Sequence, residues 1–168
     1  MIKCKNGVDW VFELDKDYDW KSSENPIRLP YTLECYDTKQ ILRLTIYKDG
    51  TLLVKSTYAW NGCTPKFCFF DILIGTPDGV VHKKSRKPKA YFASMIHDAL
   101  YQFIPDLPEE IRKIVTRKVA DAYFLEILKR DEFILRRVYW LAVRIFGGLA
   151  MKGRKQITRK TEGEFREI

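Results

Sequence analysis

Three residues in this chain could do chemistry and are hard to place otherwise: His97, Asp98 and Asp121. His97-Asp98 lies in the stretch Ala90 to Phe103, which contains no Lys, Arg or Glu. At about 100° per residue that stretch reads as a helix, with Phe92, Met95, Ile96, Ala99, Leu100 and Phe103 on one stripe. Its polar face is Ser94, His97, Asp98 and Tyr101. Asp121 is expected on the next helix, inside the apolar arc between Ile114, Leu125 and Leu128. A carboxylate there must be paired, hydrogen-bonded or metal-bound, because a dry and unpaired one costs several kcal/mol or more.

Several readings fit these residue types. Imidazole and carboxylate can hold a divalent ion, which lowers the pKa of a bound water and makes a nucleophile near neutral pH. His82, His97-Asp98 and Asp121 occur in the order used by the metal-dependent phosphohydrolases named after their His-Asp pair, at much shorter spacings. His97 and Asp98 point about 100° apart on a helix, so they would touch a shared ion from its two flanks. His82 sits among Lys and Arg, which oppose cation binding. A thiol mechanism is a second reading: Cys63, in a turn set by Gly62 and Pro65, as nucleophile, His97 as base and Asp98 or Asp121 as orienter. A third needs no chemistry. Arg117 and Asp121, four apart, can pair along one helix; His97 can bond across to Asp121, and Tyr101 can cap a network that fixes helix register.

The elements that must position these groups can be read from pattern. With 168 residues and 46% hydrophobic content the chain can bury a real core, and one domain is expected over 1–151 with a basic, mobile tail over 152–168. Leu42, Leu44 and Ile46 alternate with Arg43 and Thr45, Asp49-Gly50 turns the chain, and Thr51 to Tyr58 returns as the partner strand. Trp10 to Leu14, Ile27 to Leu29 and Phe69 to Ile74 are further strand candidates, the last closed by a turn at Gly75 to Gly79. After the basic run His82 to Lys89 the period becomes helical. Pro105 to Pro108 stops the first helix; Pro108, Glu109 and Glu110 start a second that runs to about Arg130. A third is expected from near Glu132 to Phe146, ending at Gly147-Gly148. The fold expectation is α+β, an N-terminal antiparallel sheet of four or five strands packed against a C-terminal three-helix unit.

The net charge of +8 makes acidic partners plausible without singling out nucleic acid. Trp60, Tyr58 and Phe69-Phe70 near the basic loop could stack bases, although aromatics at strand positions are more often core. Val138 to Met151 is strongly apolar but too short to span a bilayer, and Arg144 interrupts it. It reads as a core helix, with docking on an anionic membrane surface, helped by Arg136, Arg137 and the basic tail, as the alternative. The first residues lack the apolar run of a signal peptide, and Cys4, Cys35, Cys63 and Cys68 are scattered, so reduced thiols in a cytoplasmic protein are expected. Four Cys match a zinc site in number but lack paired C-x-x-C spacing.

Three segments in order, Tyr58 to Lys66, His97 to Tyr101 and Arg117 to Phe124, resemble a phage and prophage domain of unknown function, family 1353 (DUF1353). Its usual pattern is D-G-A-S-x-P, then H-D-x-L-Y, then R-x-x-A-D-x-x-F, and Ala142 to Gly147 resembles its A-V-R-x-x-G ending. Asn61 stands where the family has Asp, the segment to Pro65 is one residue shorter, and Cys63 matches a position that is usually Ala. The resemblance implies an α+β domain of tailed phages and of bacterial genomes carrying their remnants, acting in the host cytoplasm or on the virion, and brings no established activity.

The working expectation is a polar pocket built by Asn61, Cys63, Tyr101 and Arg117 around His97, Asp98 and Asp121. It would serve a hydrolase of an anionic substrate, with the last three as general acid/base groups or as ligands of a divalent metal. The alternative is a non-enzymatic phage structural or host-interaction protein in which the same residues are architectural.

Overall fold

Period-2 segments in the N-terminal half form antiparallel strands and period-3.6 segments after them form helices, so the chain is α+β. The computed structural model describes the backbone of residues 2–3, 9–10, 12–60, 62, 67–69, 72–74 and 86–153, and the side chains of 12–60, 62 and 86–147. In chain order the described strands are β1 (Ile2–Lys3), β2 (Asp9–Trp10), β3 (Phe12–Glu13), β4 (Tyr18–Trp20), β5 (Leu33–Tyr36), β6 (Leu42–Ile46), β7 (Leu52–Val54), β8 (Ala59–Trp60), β9 (Phe67–Phe69) and β10 (Ile72–Ile74). The helices are α1 (Tyr91–Phe103), α2 (Glu109–Arg112), α3 (Arg117–Arg130) and α4 (Arg136–Gly153), with a 3-10 turn at Ile104–Asp106.

The main sheet has the order β4-β7-β6-β5, all antiparallel. Its register lines up two cross-strand rows, Trp20-Leu52-Ile46-Leu33 and Tyr18-Val54-Leu44-Cys35. Leu33, Leu44, Ile46, Leu52 and Val54 in these rows are fully buried. The β6–β7 turn is a three-residue loop, Lys48 to Gly50, in which Gly50 alone takes positive φ (+84°) and the Tyr47 amide bonds the Thr51 carbonyl at 2.9 Å.

Helices and strands are joined by aromatic side chains whose polar ends are all occupied. Trp60 of β8 donates its indole N–H to Ser94 Oγ on α1 at 3.1 Å, and the Tyr91 hydroxyl donates to the Glu13 carbonyl at 3.1 Å. On α3, Tyr123 packs edge-on against Trp20 and donates its hydroxyl to the Asn25 carbonyl at 2.8 Å. Glu126 of the same helix accepts from Ser22 Oγ and the Ser23 amide. α1 lies along α3, and α3 packs against α4.

Several expected boundaries differ from those observed. Ile27 and Leu29 are buried, but the segment is not a strand; the close pass of the Asp49-Gly50 turn occupies its backbone, with the Leu29 amide bonded to the Lys48 carbonyl. The return strand after Gly50 ends at Val54, because Thr57 takes φ +68° and turns the chain into β8. Trp10 to Leu14 divides between β2, which pairs with β1, and β3, which pairs with β8. Phe69 to Ile74 is not one strand: β9 and β10 pair with each other as a hairpin. The turn expected at Gly75 to Gly79 lies outside the described residues. The short β4 and β5 carry too little alternation to be picked out beforehand.

The helix expected from Pro108 to Arg130 is interrupted. Thr116 is extended (φ −100°, ψ 163°) and its hydroxyl accepts the Val119 amide, an N-cap that restarts the chain as α3. That restart puts Ile114 outside α3, so it is not a neighbour of Asp121 on that helix. α3 ends in a Schellman motif, the Phe133 amide bonding the Leu128 carbonyl and the Glu132 amide the Lys129 carbonyl. Glu132 holds the left-handed position (φ +52°) that glycine usually fills, so α4 starts at Arg136, not near Glu132. α4 also runs straight through Gly147-Gly148 to Gly153. A glycine ends a helix only where the chain needs positive φ, and here Gly147 serves a close side-chain approach instead.

Two substitutions test this backbone reading with opposite signs. Gly50→Ala forces a Cβ into positive φ and against the Ile27 carbonyl, and should lower stability by more than about 1 kcal/mol. Glu132→Gly relieves the left-handed strain and should raise stability by up to about 1 kcal/mol. Urea denaturation followed by circular dichroism measures both; equal or reversed signs would contradict the assigned turns.

Candidate functional site

The site forms where α1, α3 and α4 meet. His97 and Tyr101 are four apart on α1 and present their rings side by side, centroids 4.0 Å apart, toward α3. Asp121, five residues into α3, points into that contact and is completely buried. Its Oδ1 pairs with His97 Nε2 at 2.9 Å and accepts the Tyr101 hydroxyl at 2.6 Å. Its Oδ2 accepts Arg144 Nη1 from α4 at 2.8 Å and lies 3.8 Å from Arg117 Nε. Both carboxylate oxygens are therefore engaged by donors from α1 and α4, with the Arg117 guanidinium of α3 close by.

Arg117 is the second junction. Its Nε donates to the Tyr101 hydroxyl at 2.7 Å, and its Nη2 donates to the Val143 carbonyl at 3.2 Å and to the Arg144 carbonyl. Those carbonyls are within reach because Gly147 has no side chain. A Cβ there would come within 2.9 Å of the Tyr101 hydroxyl oxygen and 3.4 Å of Arg117 Nη2. Tyr101 cannot swing away cheaply, since its hydroxyl is held on one side by Arg117 and on the other by Asp121.

Protonation follows from this packing. Burial pushes the His97 imidazole toward the neutral form, but its hydrogen bond to Asp121 and the nearby Asp98 carboxylate outweigh that and hold its pKa above the ordinary 6.5. Burial likewise opposes charge on Asp121, yet the donors His97, Tyr101 and Arg144 bring its pKa below the ordinary 3.8. Between the two ordinary values, 3.8 and 6.5, the pair is therefore imidazolium with carboxylate. Tyr101 moves the other way: burial and the adjacent Asp121 raise its hydroxyl well above the usual phenol value, so it stays a donor.

Of the residues expected to form a pocket, the structure brings together His97, Asp98, Tyr101, Arg117 and Asp121. Asn61, Cys63 and His82 lie outside the described residues. Asp98 is the odd member. Its Oδ1 is 3.7 Å from His97 Nδ1, too long for a hydrogen bond, and its Oδ2 is buried with no partner among the described residues. Asp121 is already bonded by His97, Tyr101 and Arg144. Among the described residues no group of three or more His, Cys, Asp or Glu is spaced to hold a metal ion. Cys35 is buried in β5 and burial pushes its thiol up to about 12, which suits a core residue and not a ligand or nucleophile. Trp60 and Tyr58 are core residues as well, so neither presents a face for base stacking.

Two members escaped the expectation: Arg144, which supplies the second charge to Asp121, and Gly147, which opens the way for Arg117. Both belong to the A-V-R-x-x-G segment, and Arg144 is a lone cation in an apolar run, which was the available signal. The residues of H-D-x-L-Y, R-x-x-A-D and A-V-R-x-x-G thus converge on one cluster. No protein-family model, curated protein or solved structure matches the chain.

The pair sets a pH window. The raised His97 pKa contributes stability that is complete below 6.5 and lost as pH rises through the folded value. The lowered Asp121 pKa contributes stability that is complete above 3.8 and lost as pH falls through its folded value. Stability from this cluster should be greatest between those limits, and His97→Gln should flatten the alkaline limb. Melting temperatures from about pH 2 to about pH 9, a range that brackets both ordinary values, check this; an alkaline limb unchanged in the variant would refute it.

Proposed function

We propose that the His97–Asp121–Tyr101–Arg117–Arg144 cluster is architectural and that the protein is a non-enzymatic, phage-type structural or host-interaction protein. One observation carries this reading: Asp121 is wholly buried with both oxygens occupied by protein donors. A catalytic carboxylate or metal ligand must offer an oxygen to substrate, ion or water, and this one is enclosed by protein. The phage assignment, with action in the bacterial host cytoplasm or on the virion, is supported by the ordered segments at His97-Asp98, Arg117 and Asp121, and Arg144 and Gly147.

A second reading, a hydrolase of an anionic substrate, is favoured by a different observation. Asp98 Oδ2 is buried without a partner beside His97 Nδ1, while the other ring nitrogen of His97 is held by Asp121. A carboxylate that orients one side of an imidazole leaves the other nitrogen for proton transfer or for a metal ion. In that reading His97 and Asp98 are the working groups, Asp121 positions them, and Arg117 and Arg144 attract the substrate.

Paired amide substitutions separate the two. Asp121→Asn strips two arginines and an imidazole of their shared counter-charge and should cost about 3–5 kcal/mol. Asp98→Asn breaks none of the Asp121 bonds and removes only a 3.7 Å contact to His97, so it should lower the melting temperature far less or raise it. An Asp121→Asn protein that melts like wild type would overturn the architectural reading. Stabilisation of wild type by Mn²⁺ or Zn²⁺ that is lost in Asp98→Asn would establish the second.

A further inference from the structure

We infer that α4 docks on an anionic lipid bilayer through the face it turns away from the rest of the protein. Tyr139, Val143 and Gly147 pack inward. Val138, Leu141 and Ile145, spaced three and four apart on the opposite side, are 50%, 52% and 57% exposed. Ile134 and Leu135, in the turn leading into the helix, extend the stripe at 88% and 51% exposure. Isolated exposed apolar residues are ordinary, but three large aliphatics in one helical row with two more in the turn before it form a patch of the kind that contacts a partner or a membrane.

Charge decides among the occupants. From Phe133 to Thr161 the sequence holds eight Lys or Arg and no Asp or Glu: Arg136, Arg137, Arg144, Lys152, Arg154, Lys155, Arg159 and Lys160. The whole chain has 30 basic and 22 acidic residues, so removing these eight leaves 22 of each sign. All of the net charge of +8 therefore belongs to the segment that contains the apolar stripe. A second copy would bring the same positive field against it. Nucleic acid would answer the charge but gains nothing from Ile, Leu and Val. The stripe is also a convex helix ridge, which a planar surface accommodates. An exposed aliphatic row in a segment rich in Arg and Lys is the combination that places a helix in the headgroup region of an anionic bilayer, by apolar burial plus attraction to acidic lipid. No described helix is long and apolar enough to cross the membrane, so the contact is peripheral.

This inference stands apart from the reading of the His97–Asp121 cluster. The experiment is co-sedimentation of the full chain with vesicles of pure phosphatidylcholine and of phosphatidylcholine with about a third phosphatidylglycerol, at low and moderate salt. Binding should require the anionic lipid and weaken with salt. Leu141→Ser/Ile145→Ser should reduce it by about tenfold or more with no loss of melting temperature, since both side chains are exposed. Arg137→Glu, also exposed, should weaken binding to the anionic vesicles. The inference is overturned by absence of binding at low salt, or by binding that the double variant leaves intact. It is also overturned if the stripe variants instead abolish a concentration-dependent dimer, which would make a second copy the occupant.

Discussion

A carboxylate at zero exposure is the constraint around which the helical half is arranged. In a low-dielectric interior Asp121 must either be neutralised by protons or be surrounded by donors, and its lowered pKa selects the second. The donors come from different places in the chain: His97 and Tyr101 from α1, Arg144 from α4, with Arg117 one turn earlier on α3 itself. A rotation of α1 by one residue position, about 100°, would remove both of its donors at once. Hydrophobic burial alone tolerates such slips more readily, because Leu and Ile repack without directional bonds. The cluster therefore sets helix register, and it does so through bonds whose loss would leave charges stranded.

That register is carried to the sheet by other residues of the same helices. Ser94, one turn before Asp98, holds the indole of Trp60, while Tyr123 and Glu126, on α3 beyond Asp121, bond the backbone near Ile27 and Ser22. Each link pairs a large apolar body with a satisfied polar tip, which combines packing area with direction. Asp98 sits between these two sets of contacts and belongs to neither. Its unpartnered oxygen is the one buried side-chain polar atom among the described residues that lacks a bond, and such atoms tend to mark function where they persist.

What could be read beforehand followed the strength of the local physics. Asp121 could be placed inward because a charge inside an apolar arc has few explanations, and its pairing with His97, Tyr101 and Arg117 followed from helical spacing. The Asp49-Gly50 hairpin was legible because a glycine at positive φ has a recognisable context. Glu132 had no such sign: it takes the left-handed conformation because Leu128, Lys129 and Phe133 complete the Schellman bonds, a tertiary and local balance that residue type does not encode. Gly147 misled in the opposite direction. Its use is to let Arg117 reach two helix carbonyls, and nothing in Gly147-Gly148 distinguishes that from a helix end.

α4 ties these observations together because it is constrained on one side and open on the other. Arg144 and Gly147 anchor it to Asp121, Tyr101 and Arg117, so the helix cannot rotate to bury Val138, Leu141 and Ile145 without breaking the ion pair that neutralises Asp121. An apolar row kept exposed by a buried charge network differs from one left over by incomplete packing, since the network resists the collapse that would hide it. The positive charge of the same segment adds a second resistance, this time against self-association. The buried cluster thereby has a consequence at the surface: it fixes which face of α4 meets solvent, and so which face is available to meet anything else.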